Sequence, residues 1–178
     1  GLVKLCDERG VQWIEGRGRF AGPDRLLLEG SDYSSVRFEH AIVATGSRPM
    51  APPGLKVRDD GRVMTSTGAL ALADVPERLL VIGGGYVGLE LGLVYAALGS
   101  RITLVEMSDR LLPGADADLV DPLHEHLAEQ FDAIHLETKV NGAEEDESGV
   151  SVMLDGADSA DEQRFDRVLV AVGRQPNT

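Results

Sequence analysis

Leu79-Leu80-Val81-Ile82-Gly83-Gly84-Gly85-Tyr86-Val87-Gly88 is the stretch that decides the fold. Leu79 to Ile82 form the short, continuous apolar run that a parallel strand buried on both faces requires, and Pro76 upstream helps to mark where it begins. In the turn that follows, Gly83 permits a tight reversal and Gly85 lets backbone approach a phosphate without an intervening Cβ. Gly88 allows the next helix to pack close to the sheet. Val87, Leu91, Val94, Tyr95 and Leu98 then recur near helical spacing until Gly99 stops them. The helix opens at the turn, so its unpaired N–H groups and positive dipole end are available to an anion.

Arg101-Ile102-Thr103-Leu104-Val105-Glu106 reads as the next strand, with its acid about twenty residues past the middle glycine. A carboxylate there accepts hydrogen bonds from ribose hydroxyls. Strand, glycine turn, helix, strand and acid together predict a dinucleotide site. Glu106 would repel a 2′-phosphate, and the nearest basic residue along the chain, Arg110, lies four positions on, so NAD is expected over NADP. A P-loop is excluded because no Gly-Lys-Ser or Gly-Lys-Thr follows.

The whole chain of 178 residues is 43% hydrophobic, enough for a buried core. Its net charge of -13 argues against a nucleic-acid partner, which would draw affinity from clustered Lys and Arg. No stretch approaches the ~20 apolar residues of a membrane span, and no secretory leader pattern opens the chain. A soluble, cytoplasmic protein without a membrane partner is expected. Cys6 stands alone, so no internal disulfide is available. A start at Gly1 and an end at Asn177-Thr178, directly after an expected strand, predict that the chain is part of something larger.

Phe38-Glu-His-Ala-Ile-Val-Ala-Thr-Gly-Ser-Arg-Pro49 matches Phe165-Asp-Arg-Val-Leu-Val-Ala-Val-Gly-Arg-Gln-Pro176 at Phe, Val, Ala, Gly and Pro with one constant offset. Each copy reads as a buried strand stopped by Gly and then Pro. Short alternating runs precede both: Val11 to Phe20, Arg25 to Glu29 and Ser35 to Phe38 in one, Gly149 to Leu154 and the strand after Arg164 in the other. These predict two antiparallel meanders. A complete β-α-β-α-β unit precedes only the second, so the repeat predicts an upstream nucleotide-binding half outside this chain.

These features resemble the central part of the flavin-dependent disulfide oxidoreductases of the pyridine nucleotide-disulfide oxidoreductase family, and within it the bacterial dihydrolipoyl dehydrogenases. The residues that carry the likeness are Gly16-Arg-Gly-Arg-Phe20, Ala44-Thr-Gly-Ser-Arg-Pro49, Val75-Pro-Glu-Arg78, Gly83-Gly-Gly-Tyr-Val-Gly-Leu-Glu90, Val105-Glu-Met107, Glu137-Thr-Lys-Val140 and Val172-Gly-Arg-Gln-Pro-Asn177. The resemblance implies a parent enzyme that passes electrons from dihydrolipoamide through a redox disulfide to FAD and on to NAD as hydride. It also implies a homodimer and a lipoyl-domain partner in a 2-oxoacid dehydrogenase complex. The same segment would serve a mercuric reductase or a soluble transhydrogenase, and a stand-alone NAD-binding module is the non-enzymatic alternative.

By that likeness, Gly83, Gly84, Gly85, Tyr86 and Val87 line the pyrophosphate, Glu106 holds the ribose, and Val140 packs near the adenine. Ala171, Val172, Gly173 and Arg174 border the nicotinamide side. Glu90, read as a carboxylate in the first helical turn, is placed by the nicotinamide, with stabilisation of the helix dipole as its structural alternative. Tyr86 resembles a residue covering the nicotinamide subsite. Gly18 and the Thr45-Gly46 turn resemble flavin contacts. The first glycine fingerprint, the redox cysteines, the C-terminal flavin motif and the acid-base pair are absent from these residues, so the chain alone is not expected to catalyse lipoamide oxidation.

The expected architecture is α/β: a Rossmann-like FAD/NAD(P)-binding domain with a parallel sheet and β-meander, plus a β-rich remnant of a flavin domain. Residues 1–49 form the partial FAD-domain segment, 50–65 a connector, 66–173 the NAD-binding domain, and 174–178 the return towards the FAD domain. His124 and His126 lie two apart on a helix expected from Asp116 to Gln130 and cannot jointly hold a metal as an i, i+4 pair would. Both are expected to face solvent. His40 and His135 flank strands without a second ligand, Trp13 is expected to pack on its meander, and Glu144 to Glu147 form a solvated acidic turn.

Overall fold

The computed structural model describes residues 1–156 and 160–177. They fall into two compact units, Gly1–Ala44 and Thr45–Thr178. The first holds helix α1 (Leu2–Glu8) and strands β1 (Arg17–Phe20), β2 (Arg25–Glu29) and β3 (Ser35–Arg37), joined in one antiparallel sheet in the order β1-β2-β3.

The second unit begins with β4 (Ser47–Pro49), β5 (Val63–Thr65), α2 (Ser66–Ala71) and β6 (Arg78–Ile82). It continues through α3 (Tyr86–Ala97), β7 (Arg101–Val105), α4 (Ala117–Gln130) and β8 (Ala133–His135). A second meander, β9 (Lys139–Asp146), β10 (Gly149–Asp155) and β11 (Ala160–Phe165), leads to β12 (Arg167–Val170) and β13 (Arg174–Pro176). Its centre is a five-stranded parallel sheet ordered β5-β12-β6-β7-β8. The expected β-α-β-α-β unit is β6-α3-β7-α4-β8, and the sheet reverses its direction of growth between β6 and β12.

Strand side chains alternate between faces, and this alternation splits the core in two. Leu79, Val81, Ile102, Leu104 and Leu169 pack with Leu89, Tyr95, Leu127 and Phe131 from the helices. Leu80, Ile82, Val105, Val168 and Val170 pack with Val150, Val152, Leu154 and Phe165 from the meander. A leucine or valine so enclosed stabilises the fold by about 1.5–3 kcal/mol. The apolar run of β6 is continuous because both its faces are covered.

Helix α3 packs on a different stripe from the one its bulky residues predict. Gly88, Leu89, Gly92 and Tyr95 are the buried positions, whereas Val94 and Leu98 are about half exposed. Glycines let the helix axis approach: a Cβ on Gly88 would lie 2.1 Å from the Gly83 carbonyl oxygen, and one on Gly92 would lie 2.9 Å from the Phe131 ring. Tyr95 reaches past them to donate a 2.8 Å hydrogen bond to the carbonyl of Ala69, tying α3 to α2.

The expected strand from Val11 shortens to β1, because pairing with β2 ends at Arg17↔Glu29 and Gly30 then turns the chain with a φ of 68°. Trp13 therefore lies outside the meander, 59% exposed, with its indole N–H directed to Glu15 Oε1. In the first repeat copy, Ala41 to Val43 are not a buried strand: no described strand pairs with them, and Ile42 is 95% exposed. Its counterpart in the repeat, Leu169, lies fully buried in β12. The segment 50–65 is more than a connector, since β5 forms the sheet edge.

Glu144, Glu145 and Asp146 belong to β9 instead of a turn. Glu145 accepts the Arg62 backbone N–H at 3.1 Å, and Asp146 caps the Ser148-Gly149 turn while pairing with Arg164. Glu145 and Asp146 are thus engaged by Arg62 and Arg164 from distant sequence.

The repeat copies meet each other across β4 and β13, which pair antiparallel with Gln175 opposite Arg48. Met50 N–H donates to the Gly173 carbonyl and Asn177 N–H donates to the Gly46 carbonyl, each at 3.0 Å. Gly46 and Gly173 are equivalent in the repeat, as are Met50 and Asn177, so this ribbon has a local two-fold relation.

Candidate functional site

The carboxyl ends of four strands converge on one cavity. The register sets Thr65, Val170, Ile82, Val105 and His135 side by side at that edge. One residue further on, Ser66, Ala171, Gly83 and Glu106 form a row that lines a cavity of about 850 Å³. The ladder continues into this row: Ala171 N–H donates to Ile82, Gly83 N–H to Val105 and Glu106 N–H to His135, each at 2.8 Å. Ligands of open α/β sheets bind outside the strand ends where the order reverses, and this row straddles that point.

The glycines divide their work. Gly83 has a φ of 110°, and a Cβ there would collide with the Ala171 carbonyl oxygen at 2.6 Å. Gly84 faces Leu111 and Glu106, where a Cβ would lie 2.6 Å from Leu111 Cδ2. Gly85 meets nothing within 4 Å at its Cβ position and opens on the cavity as the N-cap of α3, with no side-chain cap. The amides of the first turn of this 12-residue helix thus adjoin an open cradle.

Glu106 is held from its own backbone. Oε2 accepts the Gly84 N–H at 2.7 Å and Oε1 accepts the Ser108 N–H at 2.8 Å. Burial pushes this carboxyl up, but hydrogen bonds from Ser108, Gly84 and Met107 outweigh it and leave it below its ordinary value. The group is an anion at neutral pH and forms part of the cavity wall.

Of the residues singled out in the sequence, Gly83, Gly85, Tyr86, Val87 and Glu106 line the cavity. Val140, Ala171, Val172, Gly173 and Arg174 line it too. Gly84 and Gly88 shape the turn from behind it. Glu90 is exposed and is not among the lining residues. It stands fifth in α3, whose first turn carries no acid, so the first-turn reading of its charge is corrected. Thr45 and Gly46 engage Asn177 through their carbonyls. Gly18 lies in the other unit on β1, beside the Leu26 side chain.

Several lining residues were not among the expected site residues. Ser66, Thr138, Lys139 and Asn141 bring polar groups, while Pro49 to Pro53 form a proline-rich wall. Lys139 comes from β9, whose polar sequence gives no clear alternation, and its ammonium makes no ion pair or hydrogen bond among the described residues. It places a cation in the same cavity as Glu106, whereas Arg110 donates to the Pro113 carbonyl at 2.8 Å and lies outside the lining. The basic group relevant to Glu106 is therefore reached through the fold and not through nearby sequence. Arg174 is pinned by hydrogen bonds to Ser47 Oγ and the Ser47 carbonyl.

Among the described residues no group of His, Cys, Asp or Glu has the arrangement of a metal site, and no helix is long and apolar enough to cross a membrane. His126 is exposed, while His124 is partly buried against expectation because its side of α4 turns toward the sheet side occupied by Leu123 and Leu127.

A parallel sheet whose order reverses at a glycine turn, helix and terminal acid defines a doubly wound α/β protein. The chain matches the family described as pyridine nucleotide-disulphide oxidoreductase over residues 1–178, and it belongs to that family. It is 44% identical over 179 aligned residues to a dihydrolipoyl dehydrogenase of Vibrio parahaemolyticus, covering 99% of this chain and 37% of that protein. A crystal structure of LpdA from Mycobacterium tuberculosis superposes with a TM-score of 0.82 at 26% identity, covering 99% of this chain and 39% of that one. The HOCl-induced flavoprotein disulfide reductase RclA from Escherichia coli gives a TM-score of 0.80 at 29% identity, with coverage of 99% and 39%. The chain thus spans little more than a third of the length of these relatives.

Proposed function

We propose that this chain is the NAD(H)-binding portion of a dihydrolipoyl dehydrogenase, with residues 66–173 as the binding domain. The reading rests on one observation above the others: Glu106 braces Gly84 from behind while Gly85 leaves its cavity side bare. That cradle suits a pyrophosphate, and the acid beside it suits a ribose diol. Bound NAD would supply a hydride acceptor for a reduced flavin. The residues of this chain bind and orient it: Gly85 and the first α3 amides take the pyrophosphate, Glu106 the ribose, Val140 the adenine, and Ala171 to Gly173 the nicotinamide side.

For the flavin, the residues present make an incomplete site. The Thr45 and Gly46 carbonyls are already engaged by Asn177, and Gly18 sits on a strand with leucine side chains beside it. FAD, a cytoplasmic homodimer and a lipoyl-domain partner are proposed for the longer parent from its likeness to the Vibrio enzyme. Calorimetric titration of NADH into the chain tests the reading. Micromolar to submillimolar binding is expected, and no heat of binding at millimolar cofactor would sink it.

A further inference from the structure

We infer that Ser66 is a cofactor-contacting residue, its hydroxyl serving the nicotinamide carboxamide at the end of the cavity opposite Glu106. The inference rests on the NAD reading above. Ser66 is only 8% exposed, and it lines the cavity. Its hydroxyl has no hydrogen-bond partner among the described residues. Among the described residues the enclosed side-chain atom without a hydrogen bond is Arg167 Nε, at the opposite end of β12, so the Ser66 oxygen is not sealed in protein.

Capping does not explain this serine. Thr65, the N-cap of α2, accepts the Thr67 N–H through its own hydroxyl at 3.1 Å, and Asp59 secures Thr65 by bonds to its N–H and hydroxyl at 2.9 and 2.7 Å. The Tyr95 bond to Ala69 fixes the same helix from its far end. Ser66 is thus firmly held with its hydroxyl unused.

Its place on the sheet gives it a partner. Ser66 follows β5 and Glu106 follows β7, with β12 and β6 between them. At ~4.8 Å per strand step the two are about 14 Å apart along the sheet edge. The glycine turn lies between, so a dinucleotide with its ribose at Glu106 and its pyrophosphate at Gly85 runs its second half towards Ser66. Ile82, Val170, Ala171 and Val172 make that end apolar. A carboxamide entering such a pocket must find partners, and a hydroxyl both donates and accepts.

The test is calorimetry on the full 178-residue chain with NADH and with ADP-ribose, which lacks the nicotinamide, using Ser66→Ala. Losing one neutral hydrogen bond should weaken NADH about three- to tenfold and leave ADP-ribose unchanged. Unchanged NADH binding would overturn the assignment. Equal weakening of both ligands would also overturn it, by making the serine a structural support. If the unsubstituted chain binds ADP-ribose but Ser66→Ala alters neither ligand, only the Ser66 assignment fails. If it binds neither ligand, the NAD reading itself fails and takes this inference with it.

Discussion

Gly84 donates its backbone N–H to Glu106 Oε2 at 2.7 Å, so the acid at the end of β7 also closes the glycine turn at the end of β6. Two features read separately from the sequence form one hydrogen-bonded unit. Replacing Glu106 with Gln should cost about 1–2 kcal/mol of stability, the scale for losing a charge-assisted backbone contact. Because the folded-state pKa lies below its ordinary 4.5, the carboxylate's stabilisation is present above that value and is lost as pH falls through the lowered one. Thermal melts should show the advantage of the native chain over Glu106→Gln shrinking as pH falls below 4.5. A constant gap would contradict the linkage.

Charge reversal at the same position tests cofactor choice. Glu106→Arg removes the ribose acceptor and adds a further cation to a cavity that Lys139 and Arg174 already line. NADH should bind more weakly and NADPH more tightly than to the native chain. Competition between the two cofactors reads the preference, and an unaltered ratio would show that Glu106 does not face the ribose.

Alanine at successive glycines should separate binding from folding. Gly85→Ala meets no protein atom within 4 Å and has a φ of -80°, so its stability cost should stay near 1 kcal/mol while NADH binding drops tenfold or more. Gly88→Ala drives a methyl to 2.1 Å from the Gly83 carbonyl and should cost about 3 kcal/mol or more. Chemical denaturation measures both. Comparable destabilisation by the two would refute the division of roles.

The repeat offers an internal comparison. Leu169→Ala empties a fully buried position and should cost about 2–5 kcal/mol. Ile42→Ala, at the matching position of the other copy, should change stability by less than about 0.5 kcal/mol because that side chain is exposed. Denaturation midpoints decide it.

Asp146 accepts N–H bonds from Ser148 and Gly149 and pairs with Arg164, and the Ser148 backbone bond leads the causes that lower its pKa to about 2. Its support for the β9-β10 turn is therefore complete above its ordinary 3.8 and fades as pH falls toward 2. Side-chain carboxyl titration by NMR should place its midpoint at about 2, and a midpoint near 3.8 would refute the capping role.

Local sequence determined the strands β6 and β7, the glycine turn, the start of α3, the span of α4 and the acid at Glu106. Each depends on backbone geometry or periodicity within a few residues. The family likeness also came from these short motifs. Tertiary structure decided which apolar residues became core: Leu169 is enclosed by β5 and β6, while Ile42, at the matching position of the repeat, has no paired strand among the described residues. It turned α3 onto its glycine side, because close approach to the sheet buries more than bulky residues would at a distance. Parallel register likewise brought Ser66, Ala171, Gly83 and Glu106 into one row. Strand pairing between distant segments fixes that row, so no sequence window contains it.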